Sequence, residues 1–104
     1  MRHLTDVGVH GAEDRAKYRE HLRVPSLSLG TYSIPAGATD PQQPHKEDEV
    51  YFITAGRALF TAAGETVEVA AGHVLFVPAR EEHRFSDVTE DLTVVVFFAP
   101  AESL

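Results

Sequence analysis

The stretch TVEVAAGHVLFVP, residues 66–78, decides the fold class of this chain. It joins an alternating run, residues 66–69, to an apolar run, residues 74–77, with Ala-Gly between them and Pro after the second. Short β-prone runs bounded by turn residues are typical of strands. In the first run the valines would face inward while Thr66 and Glu68 face solvent. The stretch therefore predicts two consecutive strands, the first of which has one solvent-exposed face.

The same pattern continues on both sides of this stretch. Further β-prone runs, nearly all bounded by Gly, Pro or Asp, cover residues 27–34, 50–54, 58–61 and 92–98. Many short strands at regular spacing predict an all-β sandwich or barrel. Residues 74–77 and 94–98 are apolar on both faces, which requires a second sheet, a chain segment or a partner subunit on the outer face. We therefore expect a homodimer.

The N-terminal region differs from the rest of the chain. Residues 10–23 hold most of the helix-compatible composition, although their apolar positions are sparse, and they predict a short helix or turn. The expected organisation is an N-terminal segment, residues 1–25, that packs on a β-barrel formed by residues 26–104.

Length, charge and composition exclude several classes of protein. The chain has 104 residues, enough for one core, and its composition of 43% hydrophobic and 24% charged residues is that of a folded globular domain. A formal charge of −7 disfavours nucleic acid and anionic membranes as partners. Without cysteine, any metal must be bound through nitrogen and oxygen. Neither a signal-like stretch nor a membrane-spanning run is present, and the default expectation is a cytoplasmic location.

A polar stretch interrupts the strand pattern at residues 39–49 and carries the candidate ligands. In an extended chain Gln43, His45 and Glu49 would project to one side. A second polar island, residues 78–85, places His83 at the start of a further strand, where a barrel would bring it opposite His45. Two imidazoles and one carboxylate compose a facial triad for a first-row metal with open coordination positions. The alternative is that His45 belongs to a solvated charged loop.

The spacing of these residues resembles the two conserved motifs of the cupin family. Six residues separate Glu49 from Gly56, and three residues separate His45 from Glu49. These are the spacings of the first motif, which begins near Gly30. The second motif matches at Gly72, Pro78 and His83, with Arg80 in place of its Gly and Asp87 in place of its Asn. The resemblance covers residues 30–87 and is closest to small bacterial cupins. It implies a double-stranded β-helix, or jelly-roll, barrel.

Carried over by position, the resemblance implies a metal in the barrel lumen held by His45, Glu49 and His83. Gln43 replaces the first histidine of the family's pair, and Gln42 competes with it because a related subgroup has Gln three residues before the His. Nitrogen and oxygen ligands accept iron, manganese, nickel, cobalt or zinc, so the sequence selects a divalent transition metal without naming it.

Strand alternation sends further side chains into the lumen beside these ligands. Tyr51 and Ile53 follow Glu49, and Phe85 follows His83, so these three are expected to form an apolar wall of the substrate pocket. The leading hypothesis is a metal-dependent enzyme for a small enolisable or phenolic substrate, with Glu49 as general base. Cupins with dioxygenase, isomerase, cyclase and lyase chemistry resemble this arrangement. The rival hypothesis is a non-catalytic cupin that binds or senses a small molecule.

Overall fold

A computed structural model of the chain describes residues 1–11, 14–41 and 43–103. Its strands are β1 (Lys17–Val24), β2 (Leu27–Ile34), β3 (Asp48–Ala62), β4 (Glu65–Ala70), β5 (Val74–Val77) and β6 (His83–Ala99). All pairings are antiparallel, in the order β1-β2-β6-β3-β4, and β5 pairs with the first half of β3. The all-β jelly-roll barrel expected from the sequence is confirmed.

Strand β3 is continuous where the sequence predicted two strands with a turn at Ala55-Gly56. The register against β6 shifts around these residues, so they form a bulge within one long strand. Gly56 has φ +93, and a Cβ there would lie 2.3 Å from the carbonyl oxygen of Asp91. The glycine therefore allows the bent strand to remain paired instead of ending it.

Of the short helix or turn expected within residues 10–23, the helix is not formed, because the described part of the chain contains no helix and Lys17–Val24 form β1. This strand pairs along β2, with Tyr18 opposite Tyr32. Without it, β2 would present an unpaired backbone edge, and pairing overrides the weak helical composition. Tyr18 then packs its ring edge-on against Phe98, at a centroid distance of 6.1 Å.

Residues before β1 cover part of the outer face of the sheet. The backbone N–H of Gly8 donates to Thr31 Oγ1 at 2.9 Å, and that of Gly11 donates to Ser33 Oγ at 2.9 Å. On this side Val95, in the doubly apolar run of β6, is only 6% exposed. A chain segment therefore covers β2 and β6, which was one of the three expected ways to bury that run.

The barrel interior holds a continuous apolar core. Its fully buried members include Tyr51 and Ile53 from β3 and Phe85 and Leu92 from β6. Alternation along β3 places Glu49, Tyr51 and Ile53 inward, while Phe52 is exposed. Glu49 is 1% exposed, so this alternation brings a carboxylate into the apolar interior.

Candidate metal centre

The barrel brings three of the predicted ligands together from separate parts of the chain. Glu49 lies at the start of β3, His83 begins β6, and His45 lies in the loop before β3. One donor atom from each of these residues falls within 4.8 Å of the other two. His45 Nδ1 is 3.3 Å from Glu49 Oε1, and His83 Nε2 is 3.3 Å from Glu49 Oε2. The carboxylate thus sits between the two imidazoles.

The outward nitrogen of each imidazole already faces an acceptor. His83 Nδ1 is 2.8 Å from the carbonyl oxygen of Glu81, and His45 Nε2 is 3.1 Å from Glu102 Oε2. In neutral histidine one ring nitrogen carries the proton and the other carries a lone pair. Protons on the two outward nitrogens leave lone pairs on His45 Nδ1 and His83 Nε2, both directed at the Glu49 carboxylate.

This arrangement suits a cation. Buried acceptors that face one another are unfavourable unless a proton or a metal ion lies between them. His45 Nδ1 is buried and makes no hydrogen bond to any of the described residues, which leaves this donor atom available to a metal. Neutral imidazole and carboxylate ligands are also the set that first-row divalent metals accept. The residues present therefore fit a metal ion.

The electrostatics of the site agree with this view. The neighbouring Glu49 carboxylate raises the pKa of His45, with Glu102 and Glu47 acting in the same direction and burial acting against them. Burial is also the main cause that raises the pKa of the Glu102 carboxyl, while His45 lowers it. Several carboxylates thus favour a positive charge on or beside His45.

The hydroxyl of Tyr51 lies between two of the candidate ligands. It is 3.0 Å from Glu49 Oε1 and 2.8 Å from His83 Nε2, and the residue is fully buried. Ile53 and Phe85 are buried in the same core, at 0% and 1% exposure. All three predicted pocket residues are therefore inside the barrel, but only Tyr51 brings a polar atom to the centre, and their role toward a substrate stays a prediction.

Gln43 is the residue predicted to take the fourth ligand position, in place of the family's first histidine. Gln43 is exposed, precedes β3, and borders cavities on two sides of the centre. Its predicted alignment with His45 assumed extended chain, whereas residues 43–47 lie outside the strands. Gln42, the alternative, lies outside the described residues. Ligation by either glutamine stays a prediction.

Two cavities adjoin the centre. An open cleft of about 570 Å³ runs beside His83, Arg84 and the β3–β4 turn. A smaller cavity of about 150 Å³ lies on the His45 side, and its walls are Tyr18, Tyr32, Pro41, Gln43, His45, Val96, Phe98 and Glu102. The smaller cavity has the mixed apolar and polar lining of a ligand site, but its volume is below the roughly 300–1,000 Å³ of typical ligand pockets, so it suits only a very small molecule.

Tyr18 gives this smaller cavity a polar group without a partner. Its hydroxyl is buried and makes no hydrogen bond within the described chain. Burial raises the pKa of Tyr18 above its usual range, so the phenol keeps its proton. Its ring lies on Gly30, where a Cβ would come within 2.2 Å of it, which explains a glycine at this strand position.

Sequence reasoning missed two residues at the site, Tyr18 and Glu102. Tyr18 was hidden in the segment expected to be helical, and its strand pattern becomes visible only once β2 is recognised as its partner. Glu102 follows β6 in a short segment that carries no motif. Its position depends on backbone contacts to residues near Pro25 and Ser28, which no sequence spacing reveals.

Comparison with known proteins agrees with the fold and the motif spacing. The Cupin domain family matches residues 30–99. The protein SCO3923 of Streptomyces coelicolor is 44% identical over 100 residues, covering 96% of this chain and 95% of the relative. The chain is a double-stranded β-helix protein, and it belongs to the cupin family.

Solved structures share the fold at lower sequence identity. An RmlC-like cupin protein from Desulfovibrio desulfuricans superposes with a TM-score of 0.79 at 15% identity, covering 97% of this chain and 99% of that one. The DMSP lyase DddQ from Ruegeria pomeroyi DSS-3 gives 0.76 at 24% identity, covering 94% of this chain and 54% of that one. These similarities establish the fold of the chain. They do not assign its chemistry, which is inferred from the residues of the site. Within the described residues no helix has the length and apolar character needed to cross a membrane.

Proposed function

We propose that this cupin binds one divalent transition metal through His45, Glu49 and His83. The observation that carries the proposal is the convergence of His45 Nδ1, the Glu49 carboxylate and His83 Nε2 within 4.8 Å, with the other imidazole nitrogens facing acceptors of their own. Iron, manganese, nickel, cobalt and zinc all accept such ligands. Gln43 or Gln42 is the further ligand in this proposal.

We further propose that the protein is an enzyme for a small enolisable or phenolic substrate. A bound metal would supply Lewis-acid activation of a substrate oxygen, or dioxygen chemistry where the metal is redox-active. The 150 Å³ cavity beside His45 supports a small substrate. The proposed reaction is of the dioxygenase, isomerase, cyclase or lyase type.

Within this scheme the chain's own groups have distinct tasks. Glu49 is the general base, and one of its carboxylate oxygens would take the proton from the substrate. The Tyr51 hydroxyl, 3.0 Å from Glu49 Oε1, holds that carboxylate in place. The Tyr18 hydroxyl can donate to a substrate oxygen in the smaller cavity, and Phe98 and Val96 exclude water from its wall.

A non-catalytic binding or sensing cupin is the second candidate. Glu49 is 1% exposed and contacts Tyr51, His83 and His45, which leaves its carboxylate little freedom to act as a base. In this alternative the centre and the cavity hold a small molecule without converting it.

The partner in either case is a small molecule, and the charge of −7 speaks against nucleic acid and anionic lipid. A cytoplasmic location is part of the proposal. So is a homodimer, which is supported by an apolar outer face on β3 and β5. There Phe52, Val74 and Phe76 are 40%, 61% and 62% exposed.

Metal analysis of the purified protein tests the site. We expect a stoichiometric divalent metal in the wild type, loss of it in His45→Ala and His83→Ala, and no loss in the matched control His3→Ala, an exposed histidine away from the centre. Equal metal content in all four proteins would remove the ligand assignment.

A substrate panel then separates the two candidate functions. Oxygen uptake and product formation are measured with diols and β-diketones after loading with iron, manganese, nickel, cobalt or zinc. Turnover that is lost in Glu49→Gln supports the enzyme. Tight binding of a panel member without turnover under any metal supports the binding protein.

A further inference from the structure

The two nitrogens of His45 lie in different surroundings. Nδ1 is buried, faces Glu49 Oε1 at 3.3 Å and makes no hydrogen bond within the part of the chain that the structure describes. Nε2 lies 3.1 Å from Glu102 Oε2, on the side of the smaller cavity. A metal held between His45, Glu49 and His83 would therefore meet Nδ1, while Glu102 faces the nitrogen that points away from it.

Glu102 is held in this position by its own segment. Its backbone N–H donates to Ser28 Oγ at 2.9 Å, and the N–H of Ala101 donates to the carbonyl oxygen of Pro25 at 3.3 Å. On the other side, the Ser103 hydroxyl donates to the buried carboxylate of Glu47, two residues from His45. The segment after β6 is thus anchored both to the β1–β2 turn and to the loop that carries His45.

His83 has a comparable acceptor on the side of its ring that points away from the centre. His83 Nδ1 is 2.8 Å from the carbonyl oxygen of Glu81, which directs its Nε2 lone pair to the centre. Metal-binding histidines commonly donate their second N–H to a carbonyl or a carboxylate, and this fixes the tautomer and the ring orientation. For His83 this acceptor is the backbone carbonyl of Glu81, whereas the group facing His45 Nε2 is a side-chain carboxylate 57 residues further along the chain, at position 102.

We propose that Glu102 is the outer-shell carboxylate of the centre, accepting the Nε2–H of His45 so that the Nδ1 lone pair is presented to the metal. This inference rests on the proposed metal site. It makes Glu102 a positioning residue, and it assigns the segment 101–103 the task of holding His45, which lies in the loop before β3. The proposed centre then uses both ends of β6, because the ligand His83 begins this strand and the outer-shell residue Glu102 follows it.

Cobalt titration of the metal-free protein tests the role of Glu102. Co²⁺ gives a visible ligand-field spectrum that reports both affinity and coordination geometry. We expect Glu102→Ala to lower the Co²⁺ affinity about 10- to 100-fold, the usual effect of removing an outer-shell partner. We also expect an altered spectrum, because the His45 ring loses its fixed orientation. Glu102→Gln keeps an acceptor oxygen and should recover most of the affinity and the wild-type spectrum.

Controls keep the outcomes distinct. Glu68→Ala removes an exposed carboxylate of β4 and should leave affinity and spectrum unchanged. Far-UV circular dichroism of each metal-free variant verifies the fold, and Glu102→Gln retains the side-chain volume if the alanine variant is unstable. Wild-type affinity and spectrum in Glu102→Ala would overturn the role of Glu102 alone. Absence of Co²⁺ binding by the wild type would overturn the metal site and this inference with it.

Discussion

The hydroxyl of Tyr51 lies 2.8 Å from Nε2 of His83, inside a barrel where both residues are buried. Because Nδ1 of the same imidazole faces a carbonyl oxygen, a neutral His83 can only accept at Nε2. The Tyr51 proton is then needed by two acceptors, His83 and Glu49. A metal ion at the centre would occupy both acceptors and reduce this competition.

Replacement of Tyr51 should therefore affect the metal-free protein most. We expect Tyr51→Phe to lower the free energy of unfolding by about 1–3 kcal/mol without metal, because buried acceptors lose their donor. The loss should be smaller with zinc present. Urea unfolding with and without Zn²⁺ measures both values. Tyr32→Phe is the matched control, since its hydroxyl donates to the buried Asp40 instead. An equal loss for Tyr51→Phe in both forms would contradict the expectation.

Removal of the Tyr18 hydroxyl, in contrast, should not lower the free energy of unfolding. This group is buried and has no hydrogen bond to the described residues, so Tyr18→Phe should leave the free energy of unfolding unchanged or raise it by up to about 1 kcal/mol. Affinity for any panel compound that binds beside His45 should fall, because a donor to the ligand is lost. Thermal unfolding and ligand titration test the two parts. A clear destabilisation would mean that the hydroxyl has a partner in solution.

The stability of the metal-free protein should depend on pH through His45. Its pKa is raised above 6.5, so the folded chain holds this proton more tightly than the unfolded chain. The resulting stabilisation is present in full below pH 6.5 and is lost as the pH rises through the raised value. Metal affinity should follow the opposite course, because a metal competes with the proton for Nδ1.

Urea unfolding of the metal-free protein at a series of pH values measures this loss. His45→Gln should lack the part of the slope above pH 6.5 that the wild type shows. Identical pH profiles for the two proteins would remove His45 as the source.

The apolar outer face should mediate self-association. Phe76 and Val74 on β5 stand opposite Val50 and Phe52 on β3, and this face has no covering segment in the described chain. We expect Phe76→Glu to shift a dimer to monomer in analytical ultracentrifugation, because a buried charge would remain unpaired. Val67→Glu, at a 38% exposed valine of β4, is the matched control. A monomeric wild type at micromolar concentration would end the dimer proposal.

The strand pattern was sufficient for the barrel because alternation and turn residues are local properties. Residues 27–34 coincide with β2, and His83 does begin a strand, as the polar island predicted. The bulge at Gly56 was not predictable, since it depends on the close approach of Asp91 from β6. Strand β1 was also missed, because its conformation is imposed by pairing with β2 and its own composition favours helix.

The candidate centre, too, was predictable from the sequence only in part. Spacing within each motif, together with the family resemblance, was enough to select His45, Glu49 and His83. The surroundings of these residues were not accessible, because Tyr18 and Glu102 reach the site through contacts between distant segments. Even the side of each imidazole that faces the centre is decided by acceptors at positions 81 and 102, which lie outside any spacing rule.

The position of β6 in the sheet has a consequence for folding. It follows all the other strands of the described residues, yet it lies between β2 and β3, so the sheet is complete only when β6 pairs with both of these strands. Such non-local pairing is slow. Because His83 begins β6, the complete set of three ligands is assembled only when β6 has paired with β3. A metal that needs all three ligands would therefore stabilise the closed barrel over any state in which β6 is unpaired.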